Sequence, residues 1–374
     1  MENIDIFTFR QEGMSWSAIA RETGFSRKRI VRFVKNKADY VEPFTKVIEV
    51  DVVRGLIRSV VQNQPDVGEV QYRGYLEGKG YTVPRRILRL AMELEDPGGR
   101  RRRTRGTKAA RVQYDAHGPG YLWHTDTYHK LGLVAGIVIS GTIDGFTREV
   151  VALDAFTTNS ASNVLSSVLK GFVRRGVPRL LRADAGAENI AVGKFMYVVR
   201  GEDSFLVGRS VNNQRIERFW RDLRNSVMDM YIQFFQTMGP LRVQPEVIWV
   251  IQYLFLPRIQ LQIEEYRIAW NNHRLRTANN LSPRLLNLGG TRSYYKPFDE
   301  NEDNIQFALT PLREEYEGRP TSRGNCPFDT DEAKTIFSQS ITPLTIHDLP
   351  VTWQPRLEEA LQEARRLQEW EEQL

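Results

Sequence analysis

The chain has 374 residues and a net charge of +6, and its apolar and charged fractions, 41% and 26%, are those of ordinary globular proteins. This length allows two or three domains with real cores. The lone Cys326 excludes an internal disulfide, and with only five scattered histidines we expect no zinc site. No N-terminal segment resembles a signal peptide and no apolar run is long enough to span a bilayer, so we expect a soluble intracellular protein without a membrane partner.

The charge is distributed unevenly along the chain. Residues 1–111 carry 23 Lys and Arg against 14 Asp and Glu, whereas residues 299–374 carry 7 against 17. A basic N-terminal part is typical of nucleic-acid binding. The acidic C-terminal part would repel DNA, so we expect it to face away from DNA or to contact a basic surface.

Residues 1–50 contain a predicted helix-turn-helix unit over 9–37. Residues 23–25 can form the turn, and Ser26 can cap a second helix with Ile30, Val31 and Val34 facing inward. The outward face of that helix would be basic, as in a recognition helix in the major groove of DNA. The alternative is a helical hairpin with a solvated basic face. The predicted DNA contacts here are Arg27, Lys28, Arg29 and Arg32.

Residues 51–99 are predicted to form a second helical unit of the same plan. Helices are expected over 52–62 and 67–76, glycines at 78 and 80 break the pattern, and Thr82 can cap a third helix that displays basic residues. Residues 100–120 follow as a basic linker with no acidic residue from 100 to 111. This run is interpreted as a segment that tracks a phosphate backbone, with a nuclear import signal or a solvated joint as alternatives. Its predicted DNA contacts are Arg100, Arg101, Arg102, Arg103 and Arg105.

Residues 121–238 alternate strand-like and helix-like patterns. Strands are predicted over 121–128, 132–144, 149–156 and 179–183, with a helix over 160–174 and further helices after it. This order predicts an α/β domain with a mixed sheet and helices packed on it. Residues 239–290 are predicted to be helical, with an interruption at Pro257. Residues 291–374 read as an irregular acidic region that ends in an amphipathic helix over 355–374.

Three acidic residues are the candidates for chemistry: Asp126 within a strand, Asp184 at a strand end, and Glu217 on the flank of an apolar helix face. They are separated by 58 and 33 positions. Carboxylates on such elements can converge on two Mg²⁺ ions, which prefer oxygen ligands and clamp the attacking and leaving oxygens of a phosphoryl displacement. Each acid taken alone also has a purely structural interpretation. Asp126 can be an exposed strand residue, Asp184 can form a turn before Gly186, and Glu217 can form a surface ion pair with Arg221.

Other acids compete for these roles. Glu188 follows Asp184 closely and is a possible ligand, Asp144 is interpreted as a turn residue before Gly145, and Asp154 can lie on either face of the sheet. Arginines next to Glu217 are placed to hold DNA phosphates. They are Arg218, Arg221 and Arg224.

Four segments carry a family resemblance: Leu122-Trp-His-Thr-Asp126, Gly141-Thr-Ile-Asp-Gly-Phe-Thr-Arg148, Arg182-Ala-Asp-Ala-Gly-Ala-Glu-Asn189 and Gly208-Arg-Ser-Val-Asn-Asn-Gln-Arg-Ile-Glu-Arg-Phe-Trp220. Together they resemble the DDE integrase/transposase superfamily, and more narrowly the eukaryotic integrase core domain-containing proteins derived from mobile elements. Trp270-Asn-Asn-His-Arg-Leu-Arg276 and Ser282-Pro283 are similar to the segment that follows the core in these proteins. The resemblance spans roughly residues 52–290.

The resemblance implies an RNase H-like core in which Asp126, Asp184 and Glu217 bind two Mg²⁺ or Mn²⁺ ions, with Asp126 bridging them. It also implies DNA integration or transposition by strand cleavage and transfer, double-stranded DNA as partner, a dimer or tetramer, and a nuclear location, the last favoured also by the arginine run. Two departures stand out: Ala185 replaces the Asn usual in retroviral integrases, and helix-turn-helix units replace their zinc-binding domain.

Two other functions stay open. The chain can be a domesticated, catalytically silent DNA-binding protein that keeps the integrase fold, or an RNase H-like nuclease that acts on RNA. Helix-turn-helix units favour duplex DNA over RNA, because the major groove of A-form RNA is too narrow for a helix. The silent binding protein needs only the basic surface, whereas the enzyme needs the three carboxylates close together.

Overall fold

The computed structural model describes residues 6–11, 13–37, 40–64, 67–97, 117–208, 214–239, 244–288, 293–316 and 324–373. The basic run from Arg100 to Arg105 lies outside the described residues. The chain divides into two compact units. The first comprises 1–119, 145–149 and 266–294, and the second comprises 120–144, 150–265 and 295–374.

The N-terminal part of the first unit holds three short helices: α1 (Ile6–Gln11), α2 (Trp16–Thr23) and α3 (Arg27–Lys35). Gly24 makes the turn between α2 and α3 with φ of +72°, a conformation that glycine adopts without cost. The Ser26 hydroxyl then accepts a hydrogen bond from the Arg29 amide at 3.3 Å and caps α3, as predicted. Ile30 and Val34 are buried, so this helix has the predicted apolar and basic faces.

The next part of the first unit contains α4 (Val50–Asn63), α5 (Glu69–Gly78) and α6 (Arg85–Glu95), with a two-stranded parallel sheet of β1 (Thr45–Lys46) and β2 (Tyr81–Thr82). The predicted helices are present within a few residues. The prediction that Thr82 caps the third helix was wrong, because Thr82 pairs with Lys46 in the sheet and α6 starts after Pro84. The core of this part includes Ile57, Tyr72 and Leu88.

The second unit is built on a five-stranded mixed sheet with the order β5-β4-β3-β6-β7. On one side of the central strand β3, the pairs β3–β4 and β4–β5 are antiparallel. On the other side, the pairs β3–β6 and β6–β7 are parallel. This is an α/β arrangement of the RNase H-like type, as predicted. The strands are β3 (Leu122–Tyr128), β4 (Val138–Asp144), β5 (Val150–Phe156), β6 (Leu180–Asp184) and β7 (Phe205–Gly208).

Two details of the sheet differ from the sequence prediction. The apolar run 132–144 is not one strand, because its start forms the short helix α7 (Gly132–Ala135), and Gly136 turns the chain with φ of +63° before β4 begins. Strand β7 has only four residues and an exposed Val207, so it lacks the apolar run that marks the other strands.

Helices cover both faces of the sheet. One face packs on α8 (Ala161–Arg175) and α9 (Ile190–Arg200) through a core that includes Trp123, Phe172 and Phe195. Trp123 stacks on Phe172, which stacks on Phe195. The other face packs on α10 (Gln214–Leu223), which continues through a π-helical turn (Arg224–Met228) into α11 (Asp229–Thr237). A π-helical turn inside an α-helix often marks a functional site.

The rest of the chain is more helical than predicted. Helix α12 (Pro245–Asn272) runs through Pro257 without a break, because packing buries Leu254, Phe255 and Ile259 around it and outweighs the lost hydrogen bond. The region 291–374 is not irregular throughout. The remaining helices are α13 (Pro283–Leu288), α14 (Asp303–Tyr316), α15 (Asp331–Ser340) and α16 (Trp353–Glu371). None of the described helices has the length and apolar character needed to cross a membrane.

Candidate active site

The strand register places Asp126 beside Asp184. His124 of β3 pairs with Arg182 of β6, and both aspartates lie two residues further along these parallel strands. Alternate residues of a strand project to the same face of the sheet. The two carboxylates therefore stand side by side on one face of adjacent strands. Both side chains are half-buried.

Trp220 of α10 covers this same face. Its Nε1 donates a hydrogen bond of 2.8 Å to Oδ2 of Asp126, and its ring packs 5.6 Å from that of Tyr128. The strand partner of Asp126 is Gly141, where a Cβ atom would lie 2.5 Å from Cη2 of Trp220. Only glycine leaves room for this ring. Glu217 is exposed and lies three residues before Trp220, about one helical turn, which puts it on the same side of α10.

The pKa of Asp126 reflects its burial and the two other acids of the candidate triad. Burial raises the pKa of Asp126 most, and the negative charges of Asp184 and Glu217 raise it further. Hydrogen bonds from Trp220 and from the Thr127 backbone oppose this effect, and the pKa settles at about 6. Asp126 thus carries a charge that its surroundings disfavour, and a bound cation would relieve this cost.

The competing aspartates lie on the opposite face of the sheet. Asp144 is the last residue of β4, not a turn residue, and its fully buried Oδ2 accepts hydrogen bonds from the Gly120 amide, Trp123 Nε1 and the Tyr295 hydroxyl at 2.7 to 3.2 Å. It was misjudged because Asp-Gly is so common in turns. Asp154 accepts from Ser167 at 2.7 Å and pairs with Lys170 at 2.5 Å. Both acids have structural roles.

The donor set on the Asp126 face suits a hard cation, because it consists of carboxylate oxygens. Within the described ranges, however, no three Asp, Glu, His or Cys side chains lie close enough to hold one ion together. Asp126, Asp184 and Glu217 therefore suit Mg²⁺ in their chemistry, and to coordinate one ion together their side chains would have to draw closer. The carboxylate of Glu188 packs over Gly186, where a Cβ atom would lie 2.2 Å from it.

The predicted DNA-contacting residues are exposed wherever the structure describes them. Arg27, Lys28, Arg29 and Arg32 line the outer face of α3. Near Glu217, Arg218 pairs with Asp222 at 3.1 Å and Arg224 with Asp229 at 2.9 Å. Arg221 is exposed, and in the part of the chain that the structure describes it forms no ion pair with Glu217. The run Arg100, Arg101, Arg102, Arg103 and Arg105 lies outside the described residues.

Sequence reasoning missed the roles of Trp220 and Gly141. Trp220 was assigned only to the apolar face of its helix, yet its indole nitrogen binds the carboxylate of Asp126. A signal was present, because glycine inside a strand often marks a close approach of another group. Gly141 sits in the middle of β4, and it was read only as part of a family motif.

Residues 113–296 match the family model described as "Integrase core domain". The matched segment begins later than residue 52, where the resemblance was placed. No curated protein matches the chain in a comparison of sequences.

Two solved structures are similar to parts of the chain. One is the HTLV-2 integrase catalytic core domain in complex with magnesium, in a trimeric form, with 11% identity, a TM-score of 0.31, and coverage of 46% of this chain and 99% of that one. The other is a simian T-cell lymphotropic virus intasome in complex with the PP2A regulatory subunit B56 gamma, with 14% identity, a TM-score of 0.31, and coverage of 50% and 62%. Residues 113–296 are thus similar to an integrase core domain, and the strand order of the five-stranded sheet is that of an RNase H-like core.

Proposed function

We propose that this protein is a metal-dependent DNA strand transferase of the integrase/transposase type, with Asp126, Asp184 and Glu217 as its catalytic triad. The observation that carries the proposal is the placement of Asp126 and Asp184 side by side on adjacent parallel strands, under the helix that bears Glu217. In support, burial and the charges of Asp184 and Glu217 raise the pKa of Asp126 to about 6. A buried carboxylate whose charge is disfavoured by two neighbouring carboxylates is typical of a cation site. The integrase core domain supplies the reaction class.

Each residue of the site has a distinct part in this reaction. Asp126, Asp184 and Glu217 would hold two Mg²⁺ or Mn²⁺ ions, which when bound neutralise the phosphodiester and its attacking and leaving oxygens. The Trp220 hydrogen bond fixes the orientation of the Asp126 carboxylate. Arg221 is exposed one turn after Glu217 and is placed to bind a DNA phosphate. Arg218 and Arg224 would reach DNA only by exchanging their aspartate partners for phosphate.

The proposal includes the partners of the reaction. Double-stranded DNA is the substrate, and the exposed basic face of α3 supports a helix-turn-helix contact with it. Joining two DNA ends requires two catalytic sites, so we propose a dimer or tetramer. We propose a nuclear location on the basis of the arginine run and the family resemblance.

A second candidate function is supported by one observation. No three potential ligands among the described residues lie close enough to share an ion. This favours a silent DNA-binding protein that keeps the integrase fold. The two candidates differ in activity and agree in DNA binding, so an activity assay separates them.

The test is a strand-transfer and nicking assay on plasmid DNA with oligonucleotide donor ends and Mg²⁺ or Mn²⁺. The parent protein should nick and join DNA, and the Asp126→Asn and Glu217→Gln variants should not. Inactivity of all three proteins on several donor ends, together with salt-sensitive DNA binding, would support the silent binding protein.

A further inference from the structure

The first unit contains a cavity of about 370 Å³ that none of the site residues described above lines. Four of its lining residues are arginines. The charged and polar residues around it are Glu69, Arg73, Arg85, Arg274, Arg276 and Asn280. They come from α5 and α6 and from the loop after α12, a segment that the family resemblance includes but to which no role has been assigned. We call this cavity the arginine pocket.

A close helix contact builds the arginine pocket. A Cβ atom on Gly74 of α5 would lie 2.2 Å from the backbone oxygen of Ala269 in α12, so the two helices touch backbone to backbone. Gln71 adds a hydrogen bond of 3.1 Å to the Tyr266 hydroxyl. Arg73 directly precedes Gly74 in α5, Arg274 lies just after the end of α12, and both guanidinium groups pair with Oε1 of Glu77. The fold therefore fixes the two arginines next to each other.

The charges around the pocket do not balance. Glu69 accepts from Arg85 at 2.5 Å and Arg89 at 2.7 Å, and Glu77 pairs with Arg73 at 3.3 Å and Arg274 at 3.2 Å. Arg276 is exposed and has no ion pair among the described residues. The four lining arginines and Arg89, which does not line the pocket, thus share two glutamates. If these arginines served only to join helices, an excess of positive charge would be unfavourable, because like charges repel.

Donor groups remain available in the pocket. A guanidinium carries five N–H donors in a planar fork, more than one carboxylate can satisfy. The Nε of Arg274 is buried and has no hydrogen-bond partner in the described part of the chain. A buried unsatisfied donor costs about 1–3 kcal/mol. An oxygen-rich anion offers acceptors for these donors.

The loop at the rim of the pocket has an unusual backbone. Asn279 and Asn280 both have positive φ, +52° and +59°, in succession. A Leu275–Leu281 bridge closes this loop, and Arg148 Nη1 donates to the Thr277 hydroxyl at 2.8 Å. Conformations of this kind cost of order 1 kcal/mol or more each and persist where the surroundings impose them. The rim is therefore held in place before any ligand arrives.

We propose that the arginine pocket binds a phosphate of the DNA backbone, as a contact separate from the helix-turn-helix face and from the triad. Arginine forks match the oxygens of phosphate in a bidentate manner. Arg85 is 63% exposed and Arg276 is exposed, so a long polymer can reach the pocket from solvent. The identity of the ligand rests on the proposed function, because only DNA binding makes a strand backbone the expected phosphate.

The test measures how DNA affinity depends on salt. Binding of a fluorescein-labelled duplex of about 20 base pairs is followed by anisotropy with the full chain and with an Arg85→Gln/Arg276→Gln variant. The control is Arg54→Gln/Arg58→Gln, which also removes two charges from the first unit, where both arginines pair with Glu95. Each lost phosphate contact lowers the slope of log affinity against log salt by about 0.9.

We expect the pocket variant to lower that slope by nearly 2 and to weaken binding about tenfold or more near 0.1 M salt. The control should leave the slope almost unchanged. Equal effects of both variants, or a pocket variant that binds as the parent does, would overturn the proposal. Arg276→Gln alone guards against misfolding, since this side chain is exposed and should still lower the slope by about 1.

Two further outcomes separate the pocket from the proposed function. In the first outcome, the parent protein shows no strand transfer, but the pocket variant still lowers the slope of log affinity against log salt. The proposed enzymatic function would then be wrong, and the proposal for the arginine pocket would stand. The second outcome comes from calorimetric titration of the parent and the pocket variant with inorganic phosphate. Phosphate binding that the pocket variant abolishes, with DNA binding unchanged, would overturn DNA as the occupant.

Discussion

The two faces of the five-stranded sheet treat their acidic residues in opposite ways. On the face that packs on α8, Asp144 accepts three hydrogen bonds and Asp154 pairs with a lysine. On the face that packs on α10, Asp126 lies beside Asp184, and the negative charges of Asp184 and Glu217 raise the pKa of Asp126. The same sheet thus carries two acids with matched donors on one face and, on the other, Asp126, whose charge its surroundings disfavour.

This difference separates the structural acids Asp144 and Asp154 from Asp126, the acid for which we propose a function. A buried carboxylate with matched donors contributes to stability, whereas one that is held near like charges is kept in an unfavourable state. Perturbed carboxylates of this kind cluster at functional sites, which is the basis of our proposal for Asp126. The contrast leads to four predictions, from the largest expected effect to the smallest.

The largest effect should follow replacement of an acid on the α10 face. Asp126→Asn should lower metal-dependent strand transfer about 10³-fold, because losing a metal ligand removes several kcal/mol of charge stabilisation. Asp154→Asn, on the other face, serves as the matched control and should keep its activity per folded molecule. Similar losses in the two variants would break the distinction between the faces.

The next effect is on stability. Asp144→Ala should lower the free energy of unfolding by about 3 kcal/mol, since it leaves the donors of Gly120, Trp123 and Tyr295 without an acceptor. Urea unfolding measures this change. Asp203→Ala, at an exposed position of the same unit, should change the free energy by less than about 0.5 kcal/mol. A loss below about 1 kcal/mol for Asp144→Ala would mean that its hydrogen bonds contribute little.

A smaller effect tests Trp220 as a positioning residue. Trp220→Phe removes the hydrogen bond that lowers the pKa of Asp126, so the pKa should rise above 6. We expect strand transfer at pH 7 to fall about tenfold, the order of one lost hydrogen bond to a charged group, and to recover in part at pH 8.5. Trp123→Phe removes the equivalent indole donor to Asp144 on the other face. It should destabilise the fold without shifting the pH profile.

The smallest effect concerns how the charge of Asp126 changes the free energy of unfolding when no metal is present. Its folded pKa of about 6 lies above the unfolded value of about 3.9, so its contribution to stability is complete below about pH 4 and is lost as the pH rises through 6. Asp126→Asn cannot ionise. It should therefore raise the free energy of unfolding at pH 8 by about 1–2 kcal/mol, less than the full shift implies because solvent screens a half-buried group. Thermal unfolding in EDTA at pH 4 and pH 8 measures this, and equal stability of parent and variant at pH 8 would contradict it.

Much of the fold could be predicted from local patterns. A glycine turn, a serine cap and apolar periodicity predict α2 and α3. Apolar periodicity also predicts four of the five strands of the sheet. The unbroken helix α12 could not be predicted. The hydrogen bond lost at Pro257 can be read from the sequence, whereas the burial of Phe255 and Ile259 that outweighs this loss depends on the folded structure. The short β7 has no pattern of its own, since its pairing with β6 defines it.

The catalytic site stays a prediction, and the sequence could suggest only part of its surroundings. The three carboxylates could be chosen from their strand and helix positions and from family motifs. Which face Asp144 and Asp154 occupy depends on the pairing of β4 with β3 and β5, and sequence periodicity does not fix that register. The contact between Trp220 and Gly141 joins residues 79 positions apart, and only the folded chain brings them together.

Calorimetric titration of the full chain with Mn²⁺, in the presence of a duplex DNA end, tests the central claim most directly. Parent, Asp126→Asn and Asp154→Asn proteins are compared at pH 7. If the α10 face is a cation site, the parent and Asp154→Asn should bind two ions per chain and Asp126→Asn should lose that binding. Equal binding by all three proteins, or binding by none, would contradict the assignment of Asp126, Asp184 and Glu217 as metal ligands.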